Sequence, residues 1–170
     1  DIAFDNALCA QELLAFRQLL APQMPIPERT RLLPFFQAAR QLSAFIGTYV
    51  PDIGPAPLVA YEFQIAGDFA ADLVVGKRDS ETFCLVEFED AAPDSILAAG
   101  GRSLKHWSRR FEQGFSQLVD WFYALDDLKG TAKFGRHFGY GHARFHGLLV
   151  IGRSADPSPD DRRRIRWRSE

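Results

Sequence analysis

Residues 84–91, "CLVEFEDA", place two carboxylates one residue apart at the end of an apolar run. Side chains alternate between the two faces of a β-strand, so Glu87 and Glu89 are predicted to point one way and Val86 and Phe88 the other. Like charges on one face of a sheet repel each other and add no stability. The pattern therefore raises the hypothesis that these acids have a functional role and do not serve to stabilise the fold.

Composition bounds the classes that this chain can belong to. It has 170 residues, 46% hydrophobic and 25% charged, which is typical of one globular domain. The formal net charge of −2 excludes a uniformly basic nucleic-acid binder, so only local clusters can carry such a function. Cys9 and Cys84 are expected to be buried free thiols. With no long apolar run and no leader pattern, we expect a cytoplasmic protein without a membrane span. Because the chain opens on Asp1, we expect it to be part of a longer protein.

Hydrophobic periodicity divides the chain into a helical segment, 1–50, and an α/β core, 51–170, which we expect to pack as one domain. Residues 133–147, "KFGRHFGYGHARFHG", are predicted to be a loop with weak nucleic-acid contacts. The predicted order of elements is ααβββαβα, with the last strand buried on both faces because it is almost wholly apolar. The predicted helices span 6–21, 30–49 with a bend at Pro34, 107–128 and a segment starting at Ser158-Pro159, and the strands span 58–65, 69–75, 83–88 and 146–151.

Asp72 lies within an apolar strand, where an acid is costly unless it has a partner or a metal. Across a hairpin it would meet Glu87, and two carboxylates with waters and substrate phosphates are a common setting for Mg²⁺. The alternative is that Asp72 caps a loop or pairs with Lys77 or Arg78, while Glu87 and Glu89 face solvent at an edge of the sheet. The residues alone leave both interpretations open.

The order of these segments adds a resemblance. "DFAADLVVG" and "CLVEFEDA", followed by "FEQGFSQLVDWFYAL" and "GLLVIGR", resemble the Shedu anti-phage immune family over residues 62–153. The three strands, long helix and further strand also resemble the PD-(D/E)xK nuclease superfamily, with its restriction-endonuclease-like core of a small mixed β-sheet flanked by helices. The resemblance implies DNA phosphodiester cleavage with Mg²⁺ or Mn²⁺ and Asp72 and Glu87 as metal ligands.

Glu62 on the first strand is a further acid that could complete the cluster, and a solvated strand position explains it equally well. Strand alternation predicts that Tyr61 and Phe63, on either side of Glu62, face the core.

The sequence departs from the superfamily pattern at one position. The usual E-x-K lysine is replaced by Glu89, which leaves three interpretations. A cation from elsewhere, such as Lys77, Lys105 or Arg102, reaches the site; or Glu89 acts as a ligand or general base; or the domain is a catalytically inactive binding or assembly module. In the full-length protein we expect homo-oligomers.

The long helix and its start supply the remaining candidates. Gln117 and Trp121 resemble the Q-x-x-x-Y helix motif of RecB-type members, which implies that Gln117 lies beside the catalytic acids. Trp121 at helical spacing with Phe115 and Phe122 is more typical of a core residue, and we expect this aromatic face to pack on the sheet. For Gln117, a hydrogen bond on the helix surface is an equally good explanation. A basic cluster just before and within this helix is predicted to bind DNA phosphates, although such a cluster is usually a solvated surface: Arg102, Lys105, Arg109 and Arg110.

Overall fold

The computed structural model describes residues 1–100, 104–139 and 142–169. The strands are β1 (Leu58–Ala66), β2 (Phe69–Lys77), β3 (Thr82–Phe88), β4 (Leu97–Ala98), β5 (His106–Trp107) and β6 (Arg144–Val150). The centre of the structure is a four-stranded mixed sheet in the order β1-β2-β3-β6, and β4 and β5 form a separate two-stranded ribbon. β1, β2 and β3 form an antiparallel meander, and β6 lies parallel to β3. The predicted mixed α/β class is confirmed.

The central strand β3 is buried along its whole length, and its side chains alternate as predicted. Cys84, Val86 and Phe88 pack against the N-terminal helices. Phe83 and Leu85 pack on the opposite face, against the long helix. Two hydrophobic cores therefore cover the two faces of the sheet.

The N-terminal segment covers one face of the sheet. It consists of α1 (Asn6–Leu20), a π-helical turn (Glu28–Leu32), α2 (Leu33–Ala38), α3 (Arg40–Phe45) and a 3-10 turn (Ile46–Tyr49). The Phe36 ring stacks on Phe88 of the sheet, with 4.6 Å between centroids. Ile26 and Ala91 exchange backbone hydrogen bonds of 3.1 Å, which join this segment to the chain that follows β3.

The prediction of one bent helix over residues 30–49 was wrong. The helix breaks at Ala39, whose backbone (φ −86, ψ 70) is not helical. The break releases the carbonyl oxygen of Phe36, which instead accepts hydrogen bonds from the hydroxyls of Ser43 (2.8 Å) and Tyr61 (2.9 Å). Because buried carbonyl groups must be satisfied, these two hydroxyls make the break tolerable.

The opposite face of the sheet carries α4 (Arg109–Leu128), whose N-cap is the Ser108 hydroxyl. Trp121 is 1% exposed and lies in the core, as its spacing predicts. Phe115 was predicted to pack on the sheet, and this was wrong. It is 37% exposed and faces the C-terminal helix instead, where the Arg168 guanidinium lies 5.0 Å from its ring.

Two predictions about the C-terminal third were also wrong. Residues within the predicted loop form α5 (Ala132–Phe138), whose N-cap is the Thr131 hydroxyl and whose phenylalanines enter the core. β6 is not buried on both faces, because the strand order puts it at the edge of the sheet. The last helix, α6 (Pro159–Ser169), begins as predicted: Ser158 and Asp161 exchange side chain to backbone hydrogen bonds of 3.1 Å.

Cys9 and Cys84 are both buried free thiols, as expected. Among the residues that the structure describes, α4 is the longest helix, and neither it nor any other combines the length and apolarity of a membrane span.

Candidate functional site

A cavity of about 450 Å³ opens beside the end of β3, and we call it the acid cleft. The sheet contributes acids from three strands or their ends, the N-terminal segment contributes a further acid and an arginine, and α4 contributes two amides. The acid cleft is lined by Glu28, Arg29, Glu62, Asp72, Glu87, Glu89, Gln113 and Gln117, together with Gln64, Asp68, Ala70 and Ala71. Every acid that the sequence singled out for the site, and Gln117, therefore lies in one cavity.

Asp72 and Glu87 face each other from neighbouring strands, one residue beyond the paired Leu73 and Val86. The Asp72 carboxylate accepts a hydrogen bond of 2.8 Å from the backbone N–H of Phe88. Burial raises the pKa of Asp72, while that N–H and the adjoining Glu87 carboxyl act in the opposite direction. The two carboxyls are thus close enough to share a proton or a cation.

Glu87 is the most deeply buried acid of the cleft, with 5% exposure. Burial, followed by the charges of Asp72, Glu28 and Glu89, raises its pKa from 4.5 to about 9, and the Gln117 side chain opposes this shift. Its Oε2 atom is buried and has no hydrogen-bond partner among the described residues. A buried polar atom without a partner is unusual in a folded protein, and a bound cation or water molecule would satisfy it.

Glu89 follows the end of β3, two residues after Glu87, and a guanidinium lies next to it. The Arg110 Nε atom is 3.7 Å from a Glu89 carboxylate oxygen, and its Nη1 atom is 2.6 Å from Asp90. Burial and the charge of Glu28 raise the pKa of Glu89 to about 7, although Arg110 lowers it. Glu89 therefore changes its charge near neutral pH.

Glu62 enters the cleft because β1 is distorted at this residue, which has a positive φ of 47. The sequence predicts that Tyr61 and Phe63 share one core face, and this was wrong. The distortion sends Tyr61 toward the N-terminal helices and Phe63 toward α5, where its ring meets Phe138. The Glu62 carboxylate lies 3.5 Å from the side-chain amide of Gln37.

The predicted DNA-binding cations differ in their surroundings. Lys105 forms a 2.8 Å ion pair with Asp161 of α6, and Arg110 pairs with the acids described above. Arg109 is exposed, and it makes no ion pair within the described ranges. Arg102 lies outside the described residues. Of the three that lie within the described ranges, Arg109 is the one with an uncommitted surface charge.

Sequence reasoning missed Glu28 and Arg29, which the N-terminal segment brings into the cleft. The backbone N–H of Glu28 donates a 2.7 Å hydrogen bond to the Asp90 carboxylate, which fixes the π-helical turn beside β3. Burial and the charge of Asp72 raise the pKa of Glu28. The Arg29 side chain is 90% exposed at the cleft. No local pattern marks these residues, because they reach the site through a contact 62 residues away in the chain.

The carboxylate oxygens of the cleft meet some of the requirements for binding a hard cation such as Mg²⁺. Across the ranges that the structure describes, no group of three or more His, Cys, Asp or Glu side chains converges as a ready ligand set. The adjoining carboxyls of Asp72 and Glu87 form a pair instead. Since Mg²⁺ is often held by one or two carboxylates plus waters and substrate phosphates, the pair and the unpartnered Oε2 atom fit such an ion.

Comparison with known proteins gives one family. No curated protein matches this chain, and no solved structure does. Residues 27–170, which include every acid of the cleft, match the family model described as the C-terminal part of the Shedu protein SduA. The chain therefore belongs to the Shedu family of anti-phage defence proteins.

Proposed function

We propose that the acid cleft is the active site of a DNA endonuclease, with Asp72 and Glu87 as ligands of Mg²⁺ or Mn²⁺. The observation that carries the proposal is the buried Glu87 carboxyl, which adjoins Asp72 and whose Oε2 atom has no hydrogen-bond partner in the part of the chain that the structure describes. Burying two neighbouring acids is unfavourable without a compensating cation, so the arrangement is best explained by a ligand role.

The architecture supports assignment of the core to the PD-(D/E)xK superfamily. The meander β1-β2-β3, the long helix α4 and the parallel strand β6 follow the order of that core. Asp72 on β2 and Glu87 on β3 stand at the positions of its acids, and Gln117 of α4 adjoins Glu87. Fold alone does not establish chemistry, so the proposal rests on the site residues.

The chain's own residues have separate roles in this proposal. A bound divalent ion would activate water and stabilise the negative charge that develops on the phosphate. Arg29, exposed at the cleft, would bind a DNA phosphate. Gln117 would hold the Glu87 carboxyl in place. Glu89, with a pKa of about 7, is suited to accept a proton from the attacking water.

The decisive experiment measures nicking of plasmid DNA by the whole protein with Mg²⁺ or Mn²⁺. Asp72→Asn and Glu87→Gln preserve side-chain shape and should each reduce the rate by about 100-fold or more, since each removes a charged ligand. Asp120→Asn, on the exposed side of α4, is the matched control and should cleave normally. Titration with Mn²⁺ should show loss of ion binding in the two cleft variants.

The proposal fails if Glu87→Gln cleaves DNA at the wild-type rate while cleavage still requires the ion. That result would put the catalytic acids elsewhere in the protein.

A second function has its own supporting observation. An acid, Glu89, replaces the superfamily's lysine, and the guanidinium of Arg110 pairs with Glu89 and Asp90 rather than with Glu87. These features suit a catalytically inactive module that binds nucleic acid or assists assembly of a homo-oligomer. DNA binding by the wild-type protein, with no cleavage under any divalent ion, would favour this function.

A further inference from the structure

A positively charged surface is formed by helix α5 and the hairpin between β2 and β3. The helix turns its phenylalanines into the hydrophobic core and leaves Lys133, Arg136 and His137 outside it. Spacings of three and four residues place these three side chains on one face of the helix. Arg78 of the hairpin lies beside them, because Arg78 and His137 line one crevice. We call these four residues the α5 surface.

The positive charges of the α5 surface have no acidic partner among the residues that the structure describes. Arg78 and Arg136 are exposed and form no ion pair within those ranges. The Lys133 ammonium donates a 2.8 Å hydrogen bond to a backbone carbonyl of β1, which does not neutralise its charge. Asp79 is adjacent to Arg78 in the chain and Asp1 lines the crevice, but in the described part of the chain neither forms an ion pair with these cations. The charges therefore remain available to a ligand.

The side chains of the α5 surface are close enough to act on one another. The crevice that Arg78 and His137 line has a volume of about 140 Å³. The His137 ring contacts Phe63 of β1, with 5.1 Å between ring centroids. Partial burial, and then the charges of the three other members of the surface, lower the pKa of His137 below its usual 6.5. The imidazole is therefore mostly uncharged at neutral pH, so the two arginines and the lysine carry the positive charge.

The α5 surface begins beside the acid cleft and extends away from it along β1. Lys133 is bound to the carbonyl oxygen of Ile65, whose neighbour in the chain, Gln64, lines the cleft. At the other end, Arg78 lines the crevice together with Leu58, the first residue of β1. The strand from Ile65 to Leu58 is about 23 Å long. That distance equals about seven nucleotides along one DNA strand, at about 3.4 Å each.

We propose that the α5 surface binds the sugar–phosphate backbone of the DNA whose cleavage site lies in the acid cleft, on one side of that site. This inference rests on the proposed nuclease function for its substrate. Cations without acidic partners gain affinity for DNA because they release counterions from its phosphates. Contacts of this kind fix the position of the DNA without reading its sequence. They would also offset the repulsion between DNA phosphates and the carboxylates of the cleft.

The test measures DNA binding by the whole protein in a chelator, so that cleavage does not contribute. Fluorescence anisotropy of labelled duplexes gives the Kd at several salt concentrations. Arg78→Gln and Arg136→Gln should each weaken binding about five- to tenfold at about 0.1 M salt. Each should also lower the slope of log Kd against log salt concentration by about 0.9, since each removes one phosphate contact. The losses should be the same for duplexes of different sequence.

Arg17→Gln is the matched control, because Arg17 is an exposed arginine of α1, which packs on the other face of the sheet. That variant should keep both the affinity and the salt slope of the wild-type protein. Labelled polyglutamate is the second probe, and it represents an acidic protein segment. All three arginines are exposed, so thermal unfolding should be unchanged in each variant.

The possible failures are distinguishable. The proposed DNA contact is overturned if the wild-type protein does not bind DNA, if the α5 variants keep the wild-type salt slope, or if Arg17→Gln weakens binding equally, even when metal-dependent cleavage is found. Loss of polyglutamate binding with DNA binding unchanged would assign the surface to an acidic protein and also overturn it. A protein that loses DNA affinity as described but never cleaves DNA would refute the nuclease function and leave the DNA contact intact.

Discussion

At the residue scale, Glu87 is a carboxyl that the fold keeps protonated at neutral pH. Its pKa is about 9 in the folded chain and ordinarily 4.5, with burial as the main cause. Between these two values the unfolded chain has already released this proton and the folded chain has not. The unfolded state then binds fewer protons, so stability falls as the pH rises from about 5 to about 9.

We therefore predict that Glu87→Gln increases stability in the absence of divalent ions, and increasingly so toward high pH. The glutamine keeps the shape but does not ionise, so the variant lacks this loss of stability. Urea unfolding at several pH values, in the presence of a chelator, measures the difference. Asp120→Asn is the control and should show no such trend. A difference that stays constant between pH 5 and 9 would contradict the shifted pKa.

Glu89 and Arg110 form an ion pair, and its loss should have a measurable effect on the pKa of Glu89. Because the guanidinium lowers the pKa of Glu89, removal of its charge in Arg110→Gln should raise that pKa above its value of about 7. NMR titration of the Glu89 carboxyl carbon measures this directly and does not depend on enzymatic activity. Arg109→Gln, the adjacent exposed arginine, should leave the titration unchanged. If the two variants titrate alike, the contact between Arg110 and Glu89 does not persist in solution.

At the scale of elements, α6 contacts α4 through Arg168. The Arg168 guanidinium forms two hydrogen bonds of 2.7 Å with the Glu112 carboxylate. It also lies 4.8 Å from the centre of the Trp107 ring and about as close to Phe111 and Phe115. This set of contacts requires a planar group that can donate two parallel hydrogen bonds to a carboxylate and also stack on aromatic rings. The arginine guanidinium does both, and the lysine ammonium does neither.

Arg168→Ala is predicted to lower the free energy of unfolding by about 1–2 kcal/mol, and Arg168→Lys should recover little of it. The control is Arg163→Ala on the same helix, because its pair with Asp160 is almost fully exposed. That control should change stability by less than about 0.5 kcal/mol. Urea unfolding and amide hydrogen exchange of α6 measure the effects. Equal losses from the two alanine variants would show that the ring contacts add nothing.

At the scale of the whole molecule, the N-terminal segment and the sheet share one hydrophobic core. Phe36 contacts Phe88 of β3 as well as Phe16 of α1, and it is 4% exposed. The same segment supplies Glu28 and Arg29 to the acid cleft. The site therefore depends on contacts between the two parts of the chain.

Phe36→Ala should lower the free energy of unfolding by about 3–5 kcal/mol, since it opens a cavity between the segment and the sheet. Both parts should unfold in one transition, observed by near-ultraviolet circular dichroism and by tryptophan fluorescence. Tyr49→Ala, at a residue 75% exposed, is the control and should cost less than about 0.5 kcal/mol. A loss below about 1 kcal/mol, or two separate transitions, would show that the parts fold independently.

Local chemistry explains what could be predicted from the sequence. Alternation along "CLVEFEDA" put Glu87 and Glu89 on one face, and the hairpin between β2 and β3 brought Asp72 opposite them. The Ser158-Pro159 helix start was also recognisable. Each of these features depends on neighbours within a few residues or across one tight turn, where period and turn residues determine the geometry.

Other features were decided only by tertiary structure. The break at Ala39 is tolerated because Tyr61 of a strand satisfies the released carbonyl, and β6 is only partly buried because of its place at the edge of the sheet. Glu28 and Arg29 reach the cleft, and Arg110 reaches Glu89, through packing of distant segments. The sequence by itself determined which strands carry the acids. The tertiary structure alone decided which partners surround them, because long-range contacts leave no periodic signal in the chain.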